Sequence, residues 1–224
     1  MRFLLILTVS VLLSINIFLI FMWAPTEVQM GHVQRIFYVH VPSAWIAFLA
    51  FGIVFLGSIQ YLRTREAKWD NLASASAELG VIFTTLVLVT GPIWAKPVWG
   101  IWWTWDVRLT TTLVLWLIYV SYLMVRSYSG NHYQGSRYSA ILGIVGVINL
   151  PFVYFAVNWW NTQHQRLVLG VGSTNAGLDP DMRITLYFSL LAFTSLFGYL
   201  LWFRVSLKRT EDMVRQKGHL GTDH

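Results

Sequence analysis

No cysteine occurs anywhere in the 224 residues, which excludes disulfides, iron–sulfur clusters, thiolate metal sites and thiol redox chemistry for the chain acting alone. Any metal or cofactor must then be held by histidine, methionine or carboxylate. Charge is scarce too: Asp, Glu, Lys and Arg make up 12% of the chain against 56% hydrophobic residues. A soluble domain carries roughly twice that charged fraction. There is no G-x-x-x-x-G-K-[ST] phosphate loop, so the chain cannot drive transport with ATP hydrolysis of its own. The glycine-rich stretch at 170–177 has no basic residue after it and reads as a plain loop. Internal repeats and low-complexity tracts are also missing. The formal charge of +6 comes from basic residues scattered at segment ends and crowded only after Arg204. Membrane topology accounts for that pattern better than nucleic acid does.

What is present is apolar length. Six stretches, at about 3–23, 43–62, 73–93, 110–125, 138–157 and 184–203, each approach the ~20 residues a spanning helix needs. The expectation is an all-α integral membrane protein: one domain over 1–224, a six-helix transmembrane bundle with short helices and loops on one face. The fourth stretch is short, and its register can begin earlier, in the Trp-rich segment before it. The first has Arg2 ahead of an apolar run too long for a signal peptide and is expected to be a retained helix. Both termini share a side with Arg63, Arg65, Lys68, Arg126, Arg137 and the tail at about 204–224. The positive-inside rule makes that side cytoplasmic. The longer loops, at about 24–42, 94–109 and 158–183, then face outward.

The second outer loop holds Trp94, Trp99, Trp102, Trp103 and Trp105, five of the twelve tryptophans, beside Asp106 and Arg108. With Pro97 at a helix start, Trp99, Trp102 and Trp103 follow i, i+3, i+4 spacing and are expected to share one face of a short helix. Such a face is an aromatic shelf for a planar apolar ligand. The plainer alternative is an interfacial aromatic belt, but a belt distributes tryptophan around the bundle.

Two histidines flank this shelf. His40 lies in a run where Ile36, Phe37 and His40 share a helical face, with Pro42 in the first turn of the second span; His164 stands just beyond the fifth. Neutral imidazole is the usual nitrogen ligand of haem iron, and two opposed imidazoles fill both axial positions. His32 competes with His40 but sits at a polar loop start. A lone histidine at a helix end is more often an interfacial hydrogen-bonding residue. Haem propionates need cations at the water boundary, and Arg35, Arg108 and Arg183 are the candidates, with Arg166 a further outer arginine. Each of these arginines has the plainer role of pairing with a neighbouring acid or lipid phosphate. Within the spans, Glu78 lies near the cytoplasmic end of the third, where it can reach headgroups. Asn149, beside Pro151, is expected to make an interhelical hydrogen bond.

The string from Trp99 to Thr110, Trp-Gly-Ile-Trp-Trp-Thr-Trp-Asp-Val-Arg-Leu-Thr, resembles the WWD signature of a haem-handling membrane protein family. The segments around His40 and His164 resemble its CcmC branch, and the likeness runs from about Trp23 to Arg204. That resemblance implies non-covalent haem b, axial ligation by His40 and His164, and haem contact from Trp99, Trp102, Trp103, Trp105 and Asp106. It implies delivery of haem at the outer face of the bacterial cytoplasmic membrane to the haem chaperone CcmE. The implied partners are the ABC transporter subunits CcmA and CcmB and the small protein CcmD. The chain is then a carrier and not an enzyme. Two alternatives are a b-type electron carrier that keeps its haem between the same two histidines, and a transporter subunit with no cofactor.

Overall fold

Helix accounts for nearly all of the computed structural model, which describes residues 2–129, 132–160, 162, 164 and 178–220. The stretch at 170–177 and most of the expected third outer loop lie outside the described residues, as does Arg166. Helix α1 (Arg2–Phe18) continues into a π-helical turn (Leu19–Trp23), and a 3-10 turn (His32–Ile36) leads into α2 (Phe37–Thr64). There follow α3 (Ala67–Trp99), α4 (Val107–Tyr128), α5 (His132–Val147), α6 (Asn149–Trp159) and α7 (Pro180–Leu220). α5 and α6 act as one spanning unit, so six units are long and apolar enough to cross a membrane. The six expected spans are all present, most with wider bounds, and the fourth does begin earlier, at Val107.

Small residues explain the tightest pairing. Along α3, Ala73, Ser74, Ala75, Ser76, Ala77 and Gly80 are buried, letting its backbone close on α2, as small residues do where no hydrophobic force drives helices together in lipid. Ser76 Oγ donates to the Ala50 carbonyl across that interface at 2.9 Å. A Cβ at Gly80 would stand 2.4 Å from Phe51 Cε1, and Phe51 is itself fully buried and stacked on Tyr119 at 3.7 Å. The ring has nowhere to go. Gly80→Ala is therefore expected to lower the detergent-phase unfolding free energy by about 1–3 kcal/mol, the usual cost of overpacking a filled core.

One end of the bundle is closed by ion pairs. Arg126 of α4 grips Asp70 of α3 through both guanidinium nitrogens at 2.6 Å, and Ser136 of α5 donates to the same carboxylate at 2.9 Å. Glu78 is not left to the headgroups: it pairs with Arg204 and Lys208 of α7 at 2.5 and 2.9 Å. Burial and two cations on α7 decide its position. Asn149 Nδ2 donates to the Thr111 carbonyl at 2.7 Å, the interhelical bond expected of it. Pro151, two residues on, offers no N–H, and α5 gives way to α6 at Ile148.

Candidate functional site

At the opposite end, α2, α3, α4 and α6 leave a cavity of about 290 Å³ whose walls include Phe37, His40, Trp94, Trp99, Arg108 and Tyr154, with His164 reaching it from beyond α6. Trp45 and Trp102 also line it, and both are about half exposed at 47% and 57%, which marks them as its rim. A smaller space, about 50 Å³, continues below between His40, His164 and Arg108. The two histidines singled out from the sequence thus share one cavity although 124 positions apart, 164 minus 40.

The orientation of each imidazole follows from its partner. His40 Nδ1 lies 2.8 Å from Thr90 Oγ1, and that hydroxyl donates its single hydrogen to the Leu86 carbonyl at 2.6 Å. Thr90 can therefore only accept from His40, which fixes the hydrogen on Nδ1 and leaves the lone pair on Nε2. His164 Nδ1 stands 3.0 Å from Asp106 Oδ2. A carboxylate accepts, so His164 also carries its hydrogen on Nδ1 and its lone pair on Nε2. Burial first, and the Arg108 charge after it, lower the pKa of His164 from its ordinary value against the opposing pull of Asp106. At neutral pH its ring is uncharged, the form that ligates metal. Each ring also meets an indole edge: Trp94 at 5.9 Å from His40 and Trp99 at 5.4 Å from His164.

Asp106 does two jobs from one position. As the N-cap of α4, its Oδ1 accepts from the Leu109 N–H at 2.9 Å, which leaves Oδ2 for His164. It supports the cavity without being one of its lining residues.

The tryptophan shelf is not built as the spacing predicts. Pro97 lies inside the last turn of α3, and the helix ends after Trp99 because Gly100 adopts φ 77° and closes back onto the Lys96 carbonyl. Residues 101–106 are irregular, with Trp105 itself at φ 55°. Trp99 and Trp102 still line the cavity, whereas Trp103 packs edge-on against Trp105 at 5.6 Å and neither of those two lines it. Pro42 likewise falls inside α2, since the helix begins at Phe37. Phe37 and His40 share the cavity, but Ile36 turns to a neighbouring one.

The arginines separate by location. Arg108 lines the cavity. Arg35 instead donates to the carbonyls of Ile20 and Ala24 around the π-helical turn, and it lines the neighbouring cavity with His32. Arg183, in the first turn of α7, lines neither. Sequence reasoning missed Thr90 and Tyr154, and it counted Trp94 in the tryptophan cluster without assigning it a contact; a hydroxyl near the outer end of an apolar span, four residues before that tryptophan, was the available signal for Thr90.

The sequence model of the family CcmC, described as heme exporter protein C, matches residues 1–219. The chain belongs to the CcmC family. Among similar CcmC proteins are heme exporter protein C of Bradyrhizobium diazoefficiens, 38% identical over 175 residues, and of Escherichia coli, 39% identical over 180. A putative cytochrome c biosynthesis ccmC-like mitochondrial protein of Marchantia polymorpha is 35% identical over 182 residues. These alignments cover 78%, 77% and 81% of this chain, in that order, and 66%, 69% and 77% of the relatives. The chain thus spans just under two thirds of the Bradyrhizobium protein. With six units long and apolar enough to cross a membrane the chain is a multi-pass membrane protein, and the relatives it resembles are named for heme export and cytochrome c biosynthesis.

Proposed function

We propose that the protein holds non-covalent haem b in the cavity between His40 and His164, at the outer face of the bacterial cytoplasmic membrane, and delivers it to the haem chaperone CcmE. CcmA, CcmB and CcmD are the partners this reading brings with it. The observation that carries it is the matched pair: two imidazoles on one aromatic cavity, each with Nδ1 engaged and Nε2 left as the free nitrogen. The residues fit the group. The wall is apolar and aromatic, Arg108 supplies a cation for a propionate, and the buried Trp94 indole N–H has no acceptor among the described residues, so a polar group of a ligand can satisfy it. Bound haem would supply the iron to which the two imidazoles bind; the chain's own part is to orient those rings and shield the macrocycle.

Two expectations test this reading. Trp102→Ala opens the rim and is expected to raise the access of a water-soluble quencher or reductant to bound haem, while Trp103→Ala, whose ring packs on Trp105, leaves access unchanged. Equal effects from both would make the tryptophans interfacial anchors only. The outward placement of the site rests on Arg63, Arg65 and Lys68 marking the other side. A reporter active only outside the cytoplasm is expected to be silent when fused within 64–67 and active when fused within 25–31; the reverse pattern overturns the orientation.

A further inference from the structure

We infer that the two imidazoles bind iron with unequal strength, and that Thr90, as the positioning residue behind His40, makes His40 the arm that releases first. The inference rests on the haem reading above. It comes from the difference between the two groups holding the Nδ1 hydrogens. Behind His164 stands the Asp106 carboxylate at 3.0 Å, already fixed by its capping bond to Leu109. Behind His40 stands a neutral hydroxyl at 2.8 Å.

A hydrogen bond to a carboxylate is charge-assisted, roughly twice as strong as a neutral one, and it pushes electron density onto the opposite ring nitrogen. A hydroxyl gives less. Thr90's donation to the Leu86 carbonyl at 2.6 Å polarises its oxygen somewhat but leaves it uncharged. The aromatic surroundings do not offset the difference, because each ring has one comparable indole edge. His40 is thus backed by the weaker acceptor.

A carrier gains from this asymmetry. One strongly backed imidazole would hold haem while the other gives way to the acceptor's own ligand, so the two need not release together. On this reading His40 would be the first contact given up and His164 the last.

Vibrational spectroscopy of ferrous haem in purified full-length variants reads the two bonds separately. His40→Gly leaves His164 as the protein ligand, and His164→Gly leaves His40. The iron–histidine stretch is expected at higher frequency in His40→Gly, and adding Asp106→Asn to that variant is expected to lower it to the value of His164→Gly. Equal frequencies, or a higher one in His164→Gly, overturn the inference while leaving the haem reading intact. If both single variants lose haem, carbon monoxide binding to the ferrous intact protein decides, since its rate is limited by departure of the weaker imidazole. Thr90→Val is expected to speed it severalfold and Thr90→Ser to restore it, with Asp106→Asn changing it less. Acceleration by Asp106→Asn and not by Thr90→Val contradicts the inference. Absence of haem from the unaltered protein fails the underlying reading instead.

Discussion

Replacing His40 or His164 with alanine is expected to convert a low-spin haem spectrum to that of five-coordinate or water-ligated iron, and replacing both is expected to abolish haem retention. The reason is local. Both rings line one cavity, both carry the Nδ1 hydrogen on a fixed partner, and each therefore has one nitrogen for iron. Exogenous imidazole, small enough for the vacated volume, is expected to return much of the original band in each single variant. His32→Ala serves as control because His32 belongs to the neighbouring cavity. A native spectrum in His40→Ala together with loss in His32→Ala would move the ligand to the second cavity.

The second large effect is on stability and arises at the opposite end of the bundle. Asp70→Ala leaves Arg126 without its carboxylate, with their side chains only 6% and 15% exposed, and strips Ser136 of its acceptor. Breaking one partner of a buried ion pair costs about 3–5 kcal/mol, because the remaining charge stays desolvated. Three helices meet at this carboxylate, so the loss is expected to appear as a lower unfolding midpoint in mixed detergent. The exposed Lys68–Glu66 pair, 57% and 48% accessible, is the comparison: Lys68→Gln is expected to change little. Haem affinity should move less than stability in Asp70→Ala, since the cavity lies at the other end; a selective loss of haem with unchanged unfolding would contradict this division.

Much of this molecule is written in its local composition. Apolar runs of spanning length announce six spans, and a histidine on either side of a tryptophan cluster announces a cavity between them. Rotation about each helix axis is harder to read. Thr90 sits in an apolar run where threonine hydroxyls commonly bond their own helix, as Thr85 does with Val81, so composition alone does not tell an inward hydroxyl from an outward one. Trp102 and Trp103 follow Trp99 at attractive spacing, yet Gly100 stops the helix on which that spacing depends. Arg35 is drawn from the His40–His164 cavity by the Ile20 carbonyl of the π-helical turn, which a regular helix would have kept for itself. Asp106 was legible as part of the motif but not as the group that orients His164, because a contact spanning 58 positions exists only once α4 and the segment after α6 have packed.

Haem transfer observed on the purified full-length protein bears most directly on the role proposed for the cavity. The protein is loaded with haem, mixed with the apo form of the chaperone CcmE, and separated, and the visible spectrum of each fraction is recorded. The expected result is a low-spin bis-imidazole spectrum on this protein before mixing and haem on the chaperone after it, with transfer lost in the His40→Ala, His164→Ala double variant. A protein that takes up no haem, or one that keeps its haem undiminished beside the apo chaperone, would contradict the account.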